Sequence, residues 1–260
     1  MTTEIRSRTT INVALIIGLG ALLRLVTLGS QSYSMDELWE LSIVNLPVGD
    51  IVGIGDGFPP LFHVIFRGLL VGGVGDMAGR LLSAILGIVT IWVAWRMGKR
   101  ISRPVGIGTA FAVAISPLLV LLSQEGRAYG LFILLASLLL LATSEALDDG
   151  STRAWVFFGI VATLGLYSHY MFTLALASAE IVLLWNLARS STWRRWIVTH
   201  AWMTVALIPL ALIAIEDFKL DAANDYSRTV DLPAIGYAGL SLFTGLTLGP
   251  SASALHTMPT

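Results

Sequence analysis

Apolar residues run along this chain in blocks rather than in stripes. Long blocks fall near 10–28, 79–96, 105–123, 128–147, 154–169, 171–188 and 198–215, with a weaker one at 232–249. A helix needs about 20 mostly apolar residues to cross the hydrocarbon of a bilayer, so each block predicts a transmembrane helix. Segment 59–75 is apolar but short, and Gly72, Gly73 and Gly75 interrupt it. One stretch has a different pattern. Met35, Leu38, Trp39, Ser42, Ile43 and Leu46 share one helical face, Glu37 and Glu40 lie opposite, Asp36 sits at the flank and Pro47 ends the run. This spacing predicts a short amphipathic helix lying on the membrane, with Trp39 as interfacial anchor and the acidic side toward water.

Composition agrees with the block pattern. The chain is 55% hydrophobic and 13% charged, against about 25% charged in soluble domains, and its mean hydropathy is +0.79. The first block lacks a small-residue cleavage pattern after it, so it is expected to stay as a span. With no Cys, thiolate catalysis, disulfides and Cys-based metal sites are excluded.

The net charge of −1 hides an asymmetry. Arg6, Arg8, Arg96, Lys99, Arg100, Arg103, Arg153, Arg189, Arg194 and Arg195 fall in alternate loops, ten of the sixteen basic residues. The positive-inside rule assigns those loops, and the N-terminus, to the cytoplasm. The first block leaves the cytoplasm and the chain must be back at Arg96, which 79–96 achieves alone. Segment 59–75 is therefore expected to lie at the outer interface or to re-enter; the alternative is a full span that breaks the rule. The outer loops are 30–58, 124–127, 168–170 and 216–231. The first contains no Lys or Arg. Trp92, Trp95, Trp155, Trp193, Trp196 and Trp202 near the inner helix ends read as an aromatic belt.

The candidate chemistry gathers on the outer side. Ser34-Met35-Asp36-Glu37 puts paired carboxylates at the mouth of the first helix. Ser34 with Glu37 also reads as a capping box, which explains Glu37 more readily than Asp36. A carboxylate there can accept a proton from a weakly acidic hydroxyl as a new bond forms, a general-base effect of roughly 10²–10⁴-fold. An Arg suits an anionic phosphate because it stays charged and offers a fork of donors. Arg127 opens a helix after an outer turn and Arg80 lies near the outer end of its helix; local pairing of Arg127 with Glu125 or Asp36, and of Arg80 with Asp76, is the competing reading. Arg24 is expected to snorkel or to pair with a loop carboxylate. Glu40, Asp56, Gln124, Glu125, His169 and Tyr170 complete the outer set, and Glu180 near mid-membrane is left open between a protonated acid, a pair with another helix and the lining of a water cavity.

In order and at suitable spacing, Asp36-Glu37, Asp56-x-x-Pro59-Pro60-Leu61-Phe62, Arg80-Leu81-Leu82-Ser83, Ser123-Gln124-Glu125-Gly126-Arg127-Ala128-Tyr129 and Tyr167-Ser168-His169-Tyr170 resemble the GT-C glycosyltransferases of the protein-mannosyltransferase and aminoarabinose-transferase type. Gly245 to Ser251 also resembles a segment of some members. The resemblance implies an all-α polytopic bundle, here of about seven or eight spans, with the amphipathic helix in the first outer loop. Residues 1–260 then form one transmembrane module with 30–58 as its catalytic loop. It implies transfer of a sugar from a polyprenyl-phosphate donor to a lipid, glycan or protein acceptor, with inversion, at the outer face of the plasma membrane. Asp36 would be the general base and Glu37 its support. Arg127, Arg80, Asp56, His169 and Tyr170 would contact substrate. Membrane lipid is an expected partner and nucleic acid is not. The sequence assigns no cofactor; a divalent metal ion is an option, without recognised ligand spacing.

Two features depart from the family pattern. Phe58 stands where many members carry His or another polar residue before Pro-Pro, and members usually run longer, so the chain is expected to be an amino-terminal module. Two rivals stay open: a transporter or flippase of lipid-linked substrates, and a non-catalytic partner subunit.

Overall fold

A computed structural model describes residues 2–52, 58–187 and 192–223. The 232–249 block, the Gly245–Ser251 segment and the 224–231 part of the last outer loop lie outside the described residues, as does Asp56. The described chain is all helix, with no strand among the described residues. It runs α1 (Thr2–Leu25), α2 (Met35–Val44), α3 (Val48–Val52), α4 (Leu61–Val71), α5 (Ala78–Ile101), α6 (Arg103–Ile115), α7 (Pro117–Leu122), α8 (Tyr129–Asp148), α9 (Thr152–Ser168), α10 (Phe172–Leu187) and α11 (Trp193–Ala223). Ala78–Ile101, Tyr129–Asp148 and Trp193–Ile215 are long and apolar enough to cross a membrane. Thr10–Leu25, Leu61–Val71, Arg103–Ile115 and Phe172–Asn186 are apolar but shorter.

Helix α5 is the central post. It packs on α1, α6 and α8, and α8 in turn packs on α9 and α10. The α5–α6 hairpin closes tightly because both helices carry glycine at the crossing: a Cβ on Gly98 would come within 2.9 Å of the Gly106 Cα. The main core lies between α4, α8, α9, α10 and α11 and is built on Phe62, Phe66, Leu139, Trp155, Phe158, Phe172 and Leu183. Trp155 is thus a core residue, 2% exposed, and not a member of an interfacial belt.

The block at 105–123 is two helices, not one. Pro117 has no N–H to give and disfavours helical backbone at the residue before it, and Ser116 accordingly sits at φ −58°, ψ 118°. Pro117 begins α7, where its missing N–H costs nothing, and the Ser116 side chain caps the new turn by accepting from the Leu119 N–H. The break frees carbonyls at the end of α6, and Arg24 takes them. Its guanidinium donates to the Val113 carbonyl at 3.1 Å, the Ala114 carbonyl at 3.0 Å, the Gly20 carbonyl at 3.0 Å and Ser123 Oγ at 3.2 Å. Val113 is the residue whose carbonyl an uninterrupted helix would have paired with position 117. Arg24 is fully buried, so the expected snorkelling does not occur. Among the described residues no carboxylate pairs with it; carbonyl dipoles at a helix C-terminus balance its charge instead.

Candidate active site

The loop after α1 turns into α2 through Ser34, whose extended backbone and side chain form the expected capping box with Glu37. The Ser34 hydroxyl accepts from the Glu37 N–H at 3.2 Å and the Ser34 N–H donates to Glu37 Oε2 at 3.0 Å. The acidic face of the helix does not turn to water as expected. Glu37 and Glu40 are buried, at 4% and 2% exposure, while Met35, Leu38 and Trp39 are exposed, Met35 by 81%. The acidic face turns into the protein because its counter-charges are there, on α4, α5 and the turn before α8.

Glu37 is held by four donors. Arg80 Nε and Nη2 reach its two oxygens at 2.7 Å each, the Gly126 N–H reaches Oε1 at 2.9 Å, and the Ser34 N–H is the fourth. Burial alone pushes this carboxyl upward, but the hydrogen bonds from Arg80, Gly126 and Ser34 outweigh it and leave it below the ordinary range. Arg80 also donates to the carbonyls of Leu28 at 3.1 Å, Gln31 at 2.8 Å and Ser32 at 3.1 Å, and lies over the Tyr33 ring at 4.5 Å. All five of its N–H groups are therefore spent inside the protein. This corrects the reading of Arg80 as a phosphate contact, and of Asp76 as its partner. Arg80 has no donor left over; it clamps the loop that presents α2.

Arg127 is the other guanidinium of the site and is used differently. Its Nη1 meets Asp36 Oδ2 at 2.8 Å and its Nε lies 3.9 Å from Glu40 Oε1. The Arg127 side chain is 9% exposed and that of Asp36 is 71% exposed, so a buried cation holds a carboxylate that faces outward. Phe58 and Tyr129 flank the guanidinium, with ring centres at 5.1 and 5.6 Å. Phe58 also meets His169 edge-on at 5.4 Å. The residue that departs from the family pattern thus builds an aromatic wall between Arg127 and His169. Burial pushes the His169 imidazole below its ordinary pKa, with the positive field of Arg127 acting in the same direction, and its Nδ1 accepts from the Met171 N–H. Tyr170 follows it, half-buried in the turn between α9 and α10.

Glu37 with Arg80 and Asp36 with Arg127 therefore form two adjacent pairs at the first turn of α2, with His169 beside the second. Three further members, without an assigned role in the sequence reading, join the site. Glu40 pairs with buried His63 across 2.8 Å, behind the Asp36–Arg127 pair. Glu125, half-buried in the turn before α8, is raised by burial first and then by the nearby Glu37 and Asp36 charges. A usable signal existed: three acids at 36, 37 and 40 share one helix face, more than a cap needs. Among the described residues no group of three or more His, Asp or Glu side chains is placed to hold a metal ion. The carboxylates of Asp36, Glu37 and Glu40 are each engaged by Arg or His.

The mid-membrane acid also finds its partner. Glu180 accepts from Trp196 Nε1 at 2.9 Å and its other oxygen meets His200 Nε2 at 2.9 Å, which ties α10 to α11.

Comparison with curated proteins gives no match. A family described as dolichyl-phosphate-mannose-protein mannosyltransferase matches residues 58–215. The match begins after Asp36 and Glu37 and takes in Arg80, Arg127, His169 and Tyr170. It spans more than half of the chain, with the membrane-length helices and the buried arginine–carboxylate network inside or against it, and on that ground the chain belongs to the dolichyl-phosphate-mannose-protein mannosyltransferase family, a GT-C type of membrane glycosyltransferase.

Proposed function

We propose that this protein moves one sugar from a polyprenyl-phosphate donor to a hydroxyl of a lipid, glycan or protein acceptor, inverting the anomeric carbon, with Asp36 as general base. The observation that carries the reading is the Asp36–Arg127 pair: an outward-facing carboxylate fixed at 2.8 Å on a buried guanidinium. Asp36 takes the acceptor proton while the acceptor oxygen bonds to the anomeric carbon from the face opposite the phosphate. The carbon–phosphate oxygen bond breaks, and the phosphate leaves with that electron pair. Arg127 makes one close ion pair, with Asp36, and a longer one with Glu40 among the described residues, and so keeps donors for the charge that develops on the phosphate. Glu37 and Arg80 fix the N-terminus of α2 and hence the position of Asp36. His169 and Tyr170, with Phe58, line the approach to Arg127, and Asp56 is assigned to substrate contact with them.

The membrane arrangement follows the charge pattern. The N-terminus and the Arg-rich loops face the cytoplasm of a plasma membrane, about seven or eight helices span it, and the site opens on the outer side. Helix α4, with 11 residues, is about 16 Å long at 1.5 Å per residue, which suits a segment that does not cross. The exposed Met35, Leu38 and Trp39 suit a helix α2 lying against lipid.

The test uses the purified chain in lipid, a panel of radiolabelled polyprenyl-phosphate sugars and a membrane extract as acceptor. Asp36→Asn keeps the shape and removes the base, so transfer should fall by roughly 10² or more with helicity and membrane insertion unchanged. Undiminished transfer by Asp36→Asn would remove Asp36 from the chemistry. A folded wild type that transfers from no donor would favour a non-catalytic partner subunit.

A further inference from the structure

A second cavity lies at the end of the bundle away from the site. It measures about 590 Å³ and opens between α5, α8 and α9. Arg80 and Arg96 mark the two ends of α5, sixteen residues apart, or about 24 Å along the axis. Nothing in the proposed reaction uses this cavity.

Its lining is divided by chemistry. Leu138, Leu141 and Phe157 make an apolar wall on the membrane side. Arg96 and Arg153 sit at the loop end, with Glu145 and Asp149 on the same rim. The Arg96 guanidinium is steadied by the Trp92 ring, 5.4 Å from its centre. Among the described residues neither Arg96 nor Arg153 has a hydrogen-bonded or ionic partner. Their neighbour Arg100 differs, since it is paired with Asp148 and, at 3.9 Å, with Glu145. Two uncommitted guanidiniums over an apolar trough, at the level where a spanning helix leaves the hydrocarbon, match a phosphodiester with an acyl chain below it. The adjacent carboxylates disfavour a second negative charge and offer acceptors for a primary ammonium.

We propose that this cavity binds one glycerophospholipid of the leaflet on that side, of the phosphoethanolamine class. Arg96 and Arg153 hold the phosphodiester, Asp149 with Glu145 receives the ammonium, and an acyl chain lies along Leu138, Leu141 and Phe157. The site ties α5, α8 and α9 together where the α5–α6 and α8–α9 connections meet the headgroups.

The experiment is native mass spectrometry of the full chain released from detergent after incubation with a single lipid. Phosphatidylethanolamine, phosphatidylglycerol, phosphatidylcholine and dioleoylglycerol are compared, with inorganic phosphate as a separate arm. Wild type should retain one phosphatidylethanolamine, with dioleoylglycerol and inorganic phosphate not retained. Arg96→Ala/Arg153→Ala should lose at least about tenfold in retained lipid, the size expected for two charge-assisted hydrogen bonds. Leu138→Trp, which fills the trough and leaves both arginines in place, should lose it too, and Arg100→Ala should not. Circular dichroism checks that each variant is helical. Equal retention by the double variant and wild type would overturn the proposal. So would retention of phosphatidylglycerol as strong as that of phosphatidylethanolamine, or retention of inorganic phosphate alone.

Discussion

Replacing Arg80 with Lys keeps the charge and removes the fork. Arg80 serves five acceptor contacts: two to Glu37 and one each to the carbonyls of Leu28, Gln31 and Ser32. A lysine ammonium has three donors and cannot lie flat against a carboxylate. At least two of these contacts go unmade, in a place where the Arg80 and Glu37 side chains are each only 5% exposed. A hydrogen bond to a charged group contributes about 1.5–3 kcal/mol, so Arg80→Lys should destabilise by about 3–6 kcal/mol. Arg80→Met, which strands Glu37 as a buried charge, should cost about 3–5 kcal/mol through that term alone. Glu37→Gln in the Arg80→Met background should recover part of it. The assay is thermal unfolding of purified protein in one fixed detergent, followed by tryptophan fluorescence. If Arg80→Lys unfolds within about 0.5 kcal/mol of wild type, the size of a surface substitution, the clamp has been given a role it does not have.

Three further outcomes follow from the same geometry. Glu125 has a folded-state pKa above its ordinary value, so its protonated form favours folding and that contribution is lost as pH rises through the folded value; Glu125→Gln should unfold at a higher temperature than wild type at pH 7, with the difference closing below pH 4.5. A Cβ on Gly87 would stand 2.2 Å from Ser123 Oγ and 2.9 Å from Arg24 Nε. Gly87→Ala should therefore destabilise by about 1–3 kcal/mol, and the same unfolding assay reads it. Glu180→Leu should quench or shift Trp196 emission and destabilise, whereas Glu180→Leu/His200→Leu should be the more stable of the two, because it removes both members of a half-buried pair rather than stranding one.

The helical character was written in the block pattern, and so was the local chemistry. Ser34 and Glu37 are three residues apart, and their capping box formed as read. What periodicity cannot supply is which side of a helix faces the protein. It grouped Glu37 with Glu40 but turned them to water, because the Glu37 partners Arg80 and Gly126 are 43 and 89 residues away along the chain and the Glu40 partner His63 stands on another helix. The break at Pro117 was visible as a residue yet vanished in an average over hydropathy. Arg24 was misjudged with it, since the carbonyls that hold it exist only because that helix is broken. For Glu180 pairing with another helix was one of three open readings, and the choice stayed open for the same reason: His200, its partner, stands on a different helix.

The pairing of Arg24 with the end of α6 bears on how the chain is made. Helix α1 is made before α6 and α7 and carries a cation in its last turn; an Arg at the centre of a spanning helix costs about 2.5–3.5 kcal/mol or more to insert, and one nearer the end still needs partners. Three of the four groups that receive it lie 89 to 99 residues later. Its final seat is complete only when α6 and α7 arrive. A helix made before its partners thus settles after them, and a defect at Pro117 would surface as a failure to retain α1.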